Sequence, residues 1–144
     1  MYVLDSDILS IIQDRKGEES RRIASRMAAT DPTLVHVSIV TFHEQTNGWN
    51  NSIRRARKSS GVVHGYQMFE RLLTEFLRLN ILSFDDAAAN IFDGLKARKV
   101  RIGTMDLRIA AITLAYGFTL VTRNTVDFER VPGLLIEDWT LPVR

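Results

Sequence analysis

The chain has 144 residues, of which 45% are hydrophobic and 25% are charged, and its formal net charge at pH 7 is +2. This composition is typical of a globular protein and excludes disordered and fibrous classes. The length suffices for a sizeable core, so we expect one domain over residues 1–144. The absence of cysteine excludes disulfides, thiolate zinc sites and a cysteine nucleophile.

The N-terminal segment does not have the pattern of a signal peptide, because it lacks a basic region and because Asp5 and Asp7 interrupt its apolar run. No stretch approaches the roughly eighteen consecutive apolar residues of a transmembrane helix. We therefore expect a protein of the cytoplasm. The small positive net charge does not by itself indicate a nucleic-acid partner, which requires a clustered basic face.

Strands and helices are predicted to alternate in the first half of the chain. In order, we expect a buried strand over residues 2–4, helices over 6–14 and 18–29, a strand in "TLVHVSIV", and a helix that starts at Ser38 or Thr41 and continues through "TFHEQTNGWNNSIRRARK". Gly17 is expected to break the first helix. Gly61 and Gly65 indicate a gap before the next helix.

The alternation continues in the second half. We predict a helix in "YQMFERLLTEFLRL", whose core-facing stripe is formed by Met68, Leu72, Phe76 and Leu79. After it we expect a strand in "NILSF", a helix from Asp85 to about Lys99 and a helix in "MDLRIAAITLAY". The last two strands are expected in "FTLVT" and "VPGLLIEDW". Thr104 is the expected N-cap of the helix in "MDLRIAAITLAY", and Gly117 is expected to end that helix. The alternation predicts a parallel sheet in an α/β sandwich.

Oxygen-bearing side chains follow several of the predicted strands. Asp5 follows the first strand, Asn124 follows "FTLVT", and Glu44 comes early in the helix after "TLVHVSIV". Asp106 lies in the first turn of the helix that leads into "FTLVT". Ligands of open parallel sheets bind beyond the carboxyl ends of the strands, so these four side chains are expected to converge there.

Clustered carboxylates repel one another, so they must either share protons, with raised pKa values, or bind a hard cation. Mg²⁺ and Mn²⁺ prefer oxygen ligands and retain several waters. Such an ion would activate water and neutralise the charge that builds up on a phosphate, which suits phosphodiester cleavage. His36, His43 and His64 lack the spacing of a metal site.

Each acid also has a purely structural interpretation. Asp5 or Asp7 can cap the first helix, and Asp7 is closer to that role. Asp106 complements the dipole of its helix, and Glu44 can be a solvated helix residue. Asn124 suits a turn, and Asp127 suits the N-cap of the "FERV" turn.

The best basic cluster is "SIRRARKSS", which contains Arg54, Arg55, Arg57 and Lys58. It can contact RNA phosphates or be a solvated helix face. Arg123, beside Asn124, is a candidate phosphate contact closer to the acids.

Three segments resemble, in order, the motifs of PIN-domain proteins: "YVLDSDILS", "VSIVTFHEQ" and "IGTMDLRIAAITLAYGFTLVTRNTVDFERVPGLLIEDW". The third resembles the VapC-type toxin ribonucleases in particular. The resemblance implies a three-layer α/β/α sandwich with a small, mainly parallel sheet. It also implies Mg²⁺- or Mn²⁺-dependent endonucleolytic cleavage of structured RNA such as tRNA or rRNA, a homodimer, and inhibition by a cognate VapB-type antitoxin.

The resemblance also assigns roles to individual residues. Asp5, Glu44 and Asp106 match the three acids that catalyse the reaction and hold the metal, with one or two ions. Asn124 matches the fourth position, where many relatives have Asp, and Asp127 is the other candidate for it. Ser6 and Thr122 match hydroxyl positions that support the site, and Asp7 matches a position that orders the loop.

Three other interpretations compete. "DSD" also resembles the Asp-x-Asp motif of haloacid-dehalogenase phosphatases, but these need a downstream lysine and a late acidic pair that the sequence does not place suitably. A receiver domain needs an Asp after a middle strand and a lysine after a late one, where this sequence has Thr41-Phe42 and Arg123-Asn124. The third interpretation is a catalytically weak PIN-like protein that acts by binding an antitoxin or RNA.

Overall fold

Five short parallel strands form the centre of the fold in the computed structural model, which describes residues 1–144. They are β1 (Tyr2–Leu4), β2 (Val35–Ser38), β3 (Asn80–Leu82), β4 (Thr119–Val121) and β5 (Leu135–Glu137). Their order in the sheet is β3-β2-β1-β4-β5, and every neighbouring pair is parallel. The predicted parallel sheet is confirmed. Since β1 is the central strand, the residue that follows it lies in the middle of the carboxyl edge.

Seven helices pack against the sheet and complete a three-layer α/β/α sandwich. They are α1 (Ser6–Asp14), α2 (Gly17–Ala28), α3 (Ile39–Arg55), α4 (Ser59–Phe76), α5 (Asp86–Ala97), α6 (Thr104–Tyr116) and α7 (Thr125–Phe128), with one 3₁₀ turn at Pro32–Leu34. None of these helices has the length and apolar character needed to cross a membrane.

Each face of the sheet has its own hydrophobic core. Val3 and Leu120 contribute to the core beneath α5 and α6. Their neighbours Leu4 and Val121 contribute to the core beneath α1 and α4. Successive strand residues point to opposite faces, so a sheet that is buried on both sides requires continuous apolar runs. That requirement explains why the strand predictions were correct in type.

Of the two helix starts predicted after "TLVHVS", the earlier one is correct: Ser38 caps α3, and the strand predicted in "TLVHVSIV" therefore ends at that residue. The Ser38 Oγ accepts a hydrogen bond from the Thr41 backbone N at 3.1 Å, as an N-cap side chain does. Ile39 and Val40 therefore belong to the first turn of α3 although both are β-branched. Similarly, Gly103 and not Thr104 is the N-cap of α6, without a side-chain bond. Gly117 ends α6 as predicted, with a φ of 68°.

The gap predicted at Gly61 and Gly65 is wrong, since both glycines lie inside α4. Gly65 is buried where α4 crosses α3, and a Cβ atom there would lie 2.3 Å from Ile53 Cγ1. The glycine therefore permits a close approach of two helices and does not break one. Of the predicted stripe on α4, Leu72 and Phe76 are buried in the core, whereas the other two residues are half-buried.

A pair of glycine substitutions tests this helix crossing. Gly65→Ala is expected to lower the free energy of unfolding by about 1–3 kcal/mol, because the added methyl group overpacks Ile53. Gly48→Ala in α3, where no atom lies within 4 Å of an added Cβ, is expected to raise it by up to about 1 kcal/mol. Urea unfolding measures both, and two shifts of the same sign would contradict the close approach.

Candidate active site

Asp5 lies at the centre of the carboxyl edge and is only 4% exposed. Its backbone N donates to Val121 O at 2.9 Å, which continues the ladder between β1 and β4. Its Oδ1 accepts from the Ser6 backbone N at 2.8 Å as the N-cap of α1, and its Oδ2 accepts from Thr122 Oγ1 at 2.8 Å. Asp5 therefore caps the helix and also presents a buried carboxylate at the sheet edge.

Asp7 does not cap α1, contrary to the capping interpretation. Its Oδ2 accepts from the Arg123 backbone N at 3.2 Å, so it ties α1 to the loop after β4. Its Oδ1 is buried and has no hydrogen-bond partner. Asp7 thus contacts the loop after β4 that carries Arg123 and Asn124.

Glu44 is positioned by the start of α1. Ser6 Oγ donates to Glu44 Oε1 at 2.7 Å and lies within hydrogen-bond distance, 3.0 Å, of Thr41 Oγ1. Thr41 is fully buried and was not predicted from the sequence to take part in the site. The available signal was its place one helical turn before Glu44, which puts both side chains on one face of α3.

Asn124 and Asp127 lie together after β4. Asn124 is the N-cap residue of α7, and its backbone N donates to Thr122 Oγ1 at 3.0 Å. Its Nδ2 donates to Asp127 Oδ2 at 3.0 Å. An ionised carboxylate only accepts, so this bond fixes the amide with its oxygen on the opposite side. Asp127 lies within α7, so the predicted N-cap role of Asp127 is wrong.

The electrostatics show that the acids are close together. Burial and the neighbouring charge of Asp7 raise the pKa of Asp5 to about 8, although hydrogen bonds from Thr122 and Ser6 oppose the shift. Burial raises the pKa of Asp106 to about 6, and the charges of Glu44, Asp127 and Asp7 add to it. Burial also raises the pKa of Asp7. Residues far apart in sequence thus share one negative potential.

The donor set suits a hard divalent cation. Every candidate ligand is an oxygen atom, and a bound cation would offset both the burial and the repulsion that raise the pKa values of Asp5 and Asp106. No three carboxylate or imidazole side chains are arranged to hold one ion between them. Mg²⁺ in proteins commonly uses one or two carboxylates and keeps several waters, so a pair such as Asp5 and Asp106 is sufficient.

The predicted cations are not gathered at the acids. Arg123 lies at the rim, where Nη1 contacts Glu19 Oε2 at 3.1 Å and about half of its side chain is exposed. The other four are exposed at or just beyond the C-terminal end of α3, namely Arg54, Arg55, Arg57 and Lys58. Glu44 is near the opposite end of that helix, roughly 15 Å away along its axis.

The raised pKa values predict how the stability of the metal-free protein depends on pH. The pKa of Asp5 rises from 3.8 to about 8 on folding, so between these values the unfolded chain binds fewer protons than the folded one. The free energy of unfolding therefore falls as pH increases through this window. Asp106 adds to the fall up to about pH 6. For each unit by which folding raises the pKa of an acid, the free energy of unfolding falls by about 1.4 kcal/mol across this pH window.

Asp5→Asn should remove this penalty while keeping a good N-cap. In urea unfolding with EDTA, its stability relative to the wild type is expected to increase from about pH 4 to about pH 8. Asp93→Asn, which alters an exposed acid of α5, is the matched control and should follow the wild-type curve. A constant offset between Asp5→Asn and the wild type at all pH values would contradict the raised pKa.

Comparison with known proteins identifies the fold and the motifs. The PIN-domain family model matches residues 2–134. Ribonuclease VapC2 of Rickettsia felis is 37% identical over 144 residues, with 96% of this chain and 98% of the relative covered. The tRNA(fMet)-specific endonuclease VapC of Shigella flexneri is 39% identical over 108 residues, which cover 72% of this chain and 74% of the relative.

A solved structure shows the same architecture. A chain of the DNA-bound VapBC crystal structure from Salmonella typhimurium superposes with a TM-score of 0.71 at 25% identity, covering 96% of this chain and 97% of that chain. The family match spans the central strand, both helices that carry Glu44 and Asp106, and the loop with Asn124. The chain therefore belongs to the PIN-domain family and, within it, to the VapC-type ribonucleases.

Proposed function

We propose that this protein cleaves structured cellular RNA, such as tRNA or rRNA, as a Mg²⁺- or Mn²⁺-dependent endoribonuclease. The observation that carries the proposal is the meeting of Asp5, Glu44 and Asp106 at the carboxyl edge of the sheet, where the pKa values of Asp5 and Asp106 are raised. The name of the Shigella flexneri relative, a tRNA(fMet)-specific endonuclease, supports RNA as the substrate.

Each acid has a part in the proposed mechanism. Asp5 and Asp106 would hold the metal ion, and Glu44 would bind a second ion or orient the attacking water. The bound ion would supply a nucleophilic water at neutral pH and neutralise charge on the phosphate. Asn124 uses its free amide oxygen to orient water or the scissile phosphate, and Asp127 holds that amide in place.

The hydroxyl groups keep the carboxylates in position. Thr122 donates to Asp5, and Ser6 donates to Glu44. The bond from Thr122 stabilises the ionised form of Asp5, which is the form that ligates metal well. The bond from Ser6 fixes the orientation of Glu44. Asp7 acts indirectly, by fixing the loop that carries Arg123 and Asn124.

We further propose that the protein is a toxin that acts in the cytoplasm as a homodimer and is inhibited by a VapB-type antitoxin. The similarity to a chain of the VapBC complex from Salmonella typhimurium supports such a partner. A catalytically weak binding protein remains the second candidate, favoured by Asn124 at the fourth position, because an amide adds no charge for holding the cation.

Substitution of the acids tests the activity directly. Asp5→Asn, Glu44→Gln and Asp106→Asn are each expected to lower the rate of RNA cleavage in Mn²⁺ by at least about 100-fold, because each removes a charge that holds the ion or the water. Sequencing the 5′ ends of cellular RNA after brief expression measures cleavage and identifies the target together.

Asp93→Asn and Glu70→Gln are the matched controls, since both residues are exposed on helices away from the cluster. They should keep wild-type cleavage and growth inhibition. If the purified, antitoxin-free wild type cleaves no RNA in either metal, the enzyme proposal fails and the binding-protein proposal is favoured.

Metal binding provides an independent measurement. Titration with Mn²⁺ is expected to raise the melting temperature of the wild type, because the cation binds only the folded site. Asp5→Asn and Asp106→Asn should reduce this rise, whereas Asp93→Asn should not. An equal rise in all four proteins would show that the ion binds elsewhere.

A further inference from the structure

A pocket of about 340 Å³ opens between α3 and α6, the helices that carry Glu44 and Asp106. Its walls come from the start of α3, the loop after β3 and the first half of α6, and its lining residues are Ile39, Val40, His43, Phe84 and Arg108. We call it the α3–α6 pocket. Its volume falls within the roughly 300–1,000 Å³ of small-molecule sites.

The α3–α6 pocket is formed by the same two helices that carry Glu44 and Asp106. Val40 lines the pocket one helical turn before Glu44, so the two side chains share a face of α3. Arg108 lies on α6, the helix that carries Asp106 in its first turn. The same two helices therefore position two of the acids and two walls of the pocket. An RNA whose phosphodiester lay beside Glu44 would therefore have a neighbouring nucleotide at this opening.

The lining combines apolar surface with hydrogen-bond donors. Ile39 is 39% exposed and supplies apolar surface to the pocket. Phe84 is half-buried and packs edge-to-face on Phe92, with ring centres 6.1 Å apart. Apolar and aromatic surface next to an arginine is the combination on which proteins stack unpaired bases.

Arg108 retains a free positive charge. Its guanidinium lies 5.7 Å from the centre of the Phe92 ring, and Nη1 donates weakly to Met105 Sδ at 3.7 Å. No carboxylate forms an ion pair with it, whereas Arg123 on the other side of the acids is paired with Glu19. The fork of donors on Arg108 is therefore available to a phosphate or to the edge of a base.

We propose that the α3–α6 pocket binds an unpaired base of the RNA substrate, adjacent to the phosphodiester that is cut. The apolar wall contacts the face of the base, and Arg108 and His43 contact its edge or its phosphate. This inference rests on the proposed function and extends it: cleavage would be restricted to loops or bulges, because only an unpaired base can leave its helix to enter the pocket.

Binding to designed hairpins tests the pocket separately from cleavage. Five hairpin RNAs share one stem; four have loops of uridine, cytidine, adenosine or guanosine, and the fifth has an abasic loop. Fluorescence anisotropy in EDTA, which removes the divalent cations, measures their dissociation constants. The wild type is expected to bind at least one base-containing loop about fivefold or more tightly than the abasic loop.

Arg108→Gln and His43→Ala should each reduce that difference to less than about twofold, mainly by weakening binding of the base-containing loop. Arg98→Gln, an exposed arginine at the end of α5, is the matched control and should preserve it. His43 is exposed, so its substitution keeps the test valid even if Arg108→Gln fails to fold. In Mn²⁺, the two variants should raise the KM for the preferred hairpin more than they lower kcat.

Equal binding of all five hairpins by the wild type, or a difference that both pocket variants retain, overturns the inference. The proposed function would then still stand if the wild type cleaves RNA in Mn²⁺. Conversely, base-dependent binding that the pocket variants abolish supports the pocket even if no cleavage is found, and in that case only the proposed enzyme activity fails.

Discussion

Repulsion among carboxylates at the carboxyl edge of the sheet is the constraint on which the rest of the site depends. Burial first, and then the charges of neighbouring acids, raise the pKa values of Asp5 and Asp106 well above 3.8. The neighbours that add to these shifts are Asp7, Glu44 and Asp127. A fold that only had to be stable would disperse these charges. The two hydrophobic cores hold the acids together, since both cores fix the strand ends and helix starts that carry them.

The hydrogen bonds of the site reduce this repulsion without removing it. Thr122 and the Ser6 backbone each donate to Asp5, yet the pKa of Asp5 remains high. The helix cap thus supplies a local reason for an acid at this position, and the raised pKa shows that capping alone does not account for it. Strain of this kind is typical of functional sites, where local stability is given up for chemistry.

Much of the architecture was predictable because β1 and β4 are apolar on both faces and Gly117 ends α6. The sequence was misleading where tertiary contact overrode local preference. Gly65 suggested a break, but a helix crossing that the sequence does not display requires a residue without a side chain. Ile39 and Val40 suggested a strand, but the Ser38 cap starts the helix before them.

The residues of the candidate site could be predicted from the sequence, but the hydrogen bonds between them could not. Strand ends indicated where Asp5 and Asn124 would lie, because parallel strands share a carboxyl edge. The pairing of Ser6 with Glu44, and of Asn124 with Asp127, depends on rotamers and on helix packing. For the same reason, the sequence favoured the basic cluster near Arg54, which lies at the far end of α3, over the free Arg108 close to Asp106.

The hydrogen bond from Thr122 to Asp5 joins residues at opposite ends of the chain. During synthesis, β1 emerges from the ribosome first, but its neighbour β4 and the donor for Asp5 come more than a hundred residues later. Until then Asp5 has no partner strand on that side, and neither Asp106 nor Asn124 exists. The cluster of acids can therefore assemble only after β4 and the residues that follow it have been synthesised.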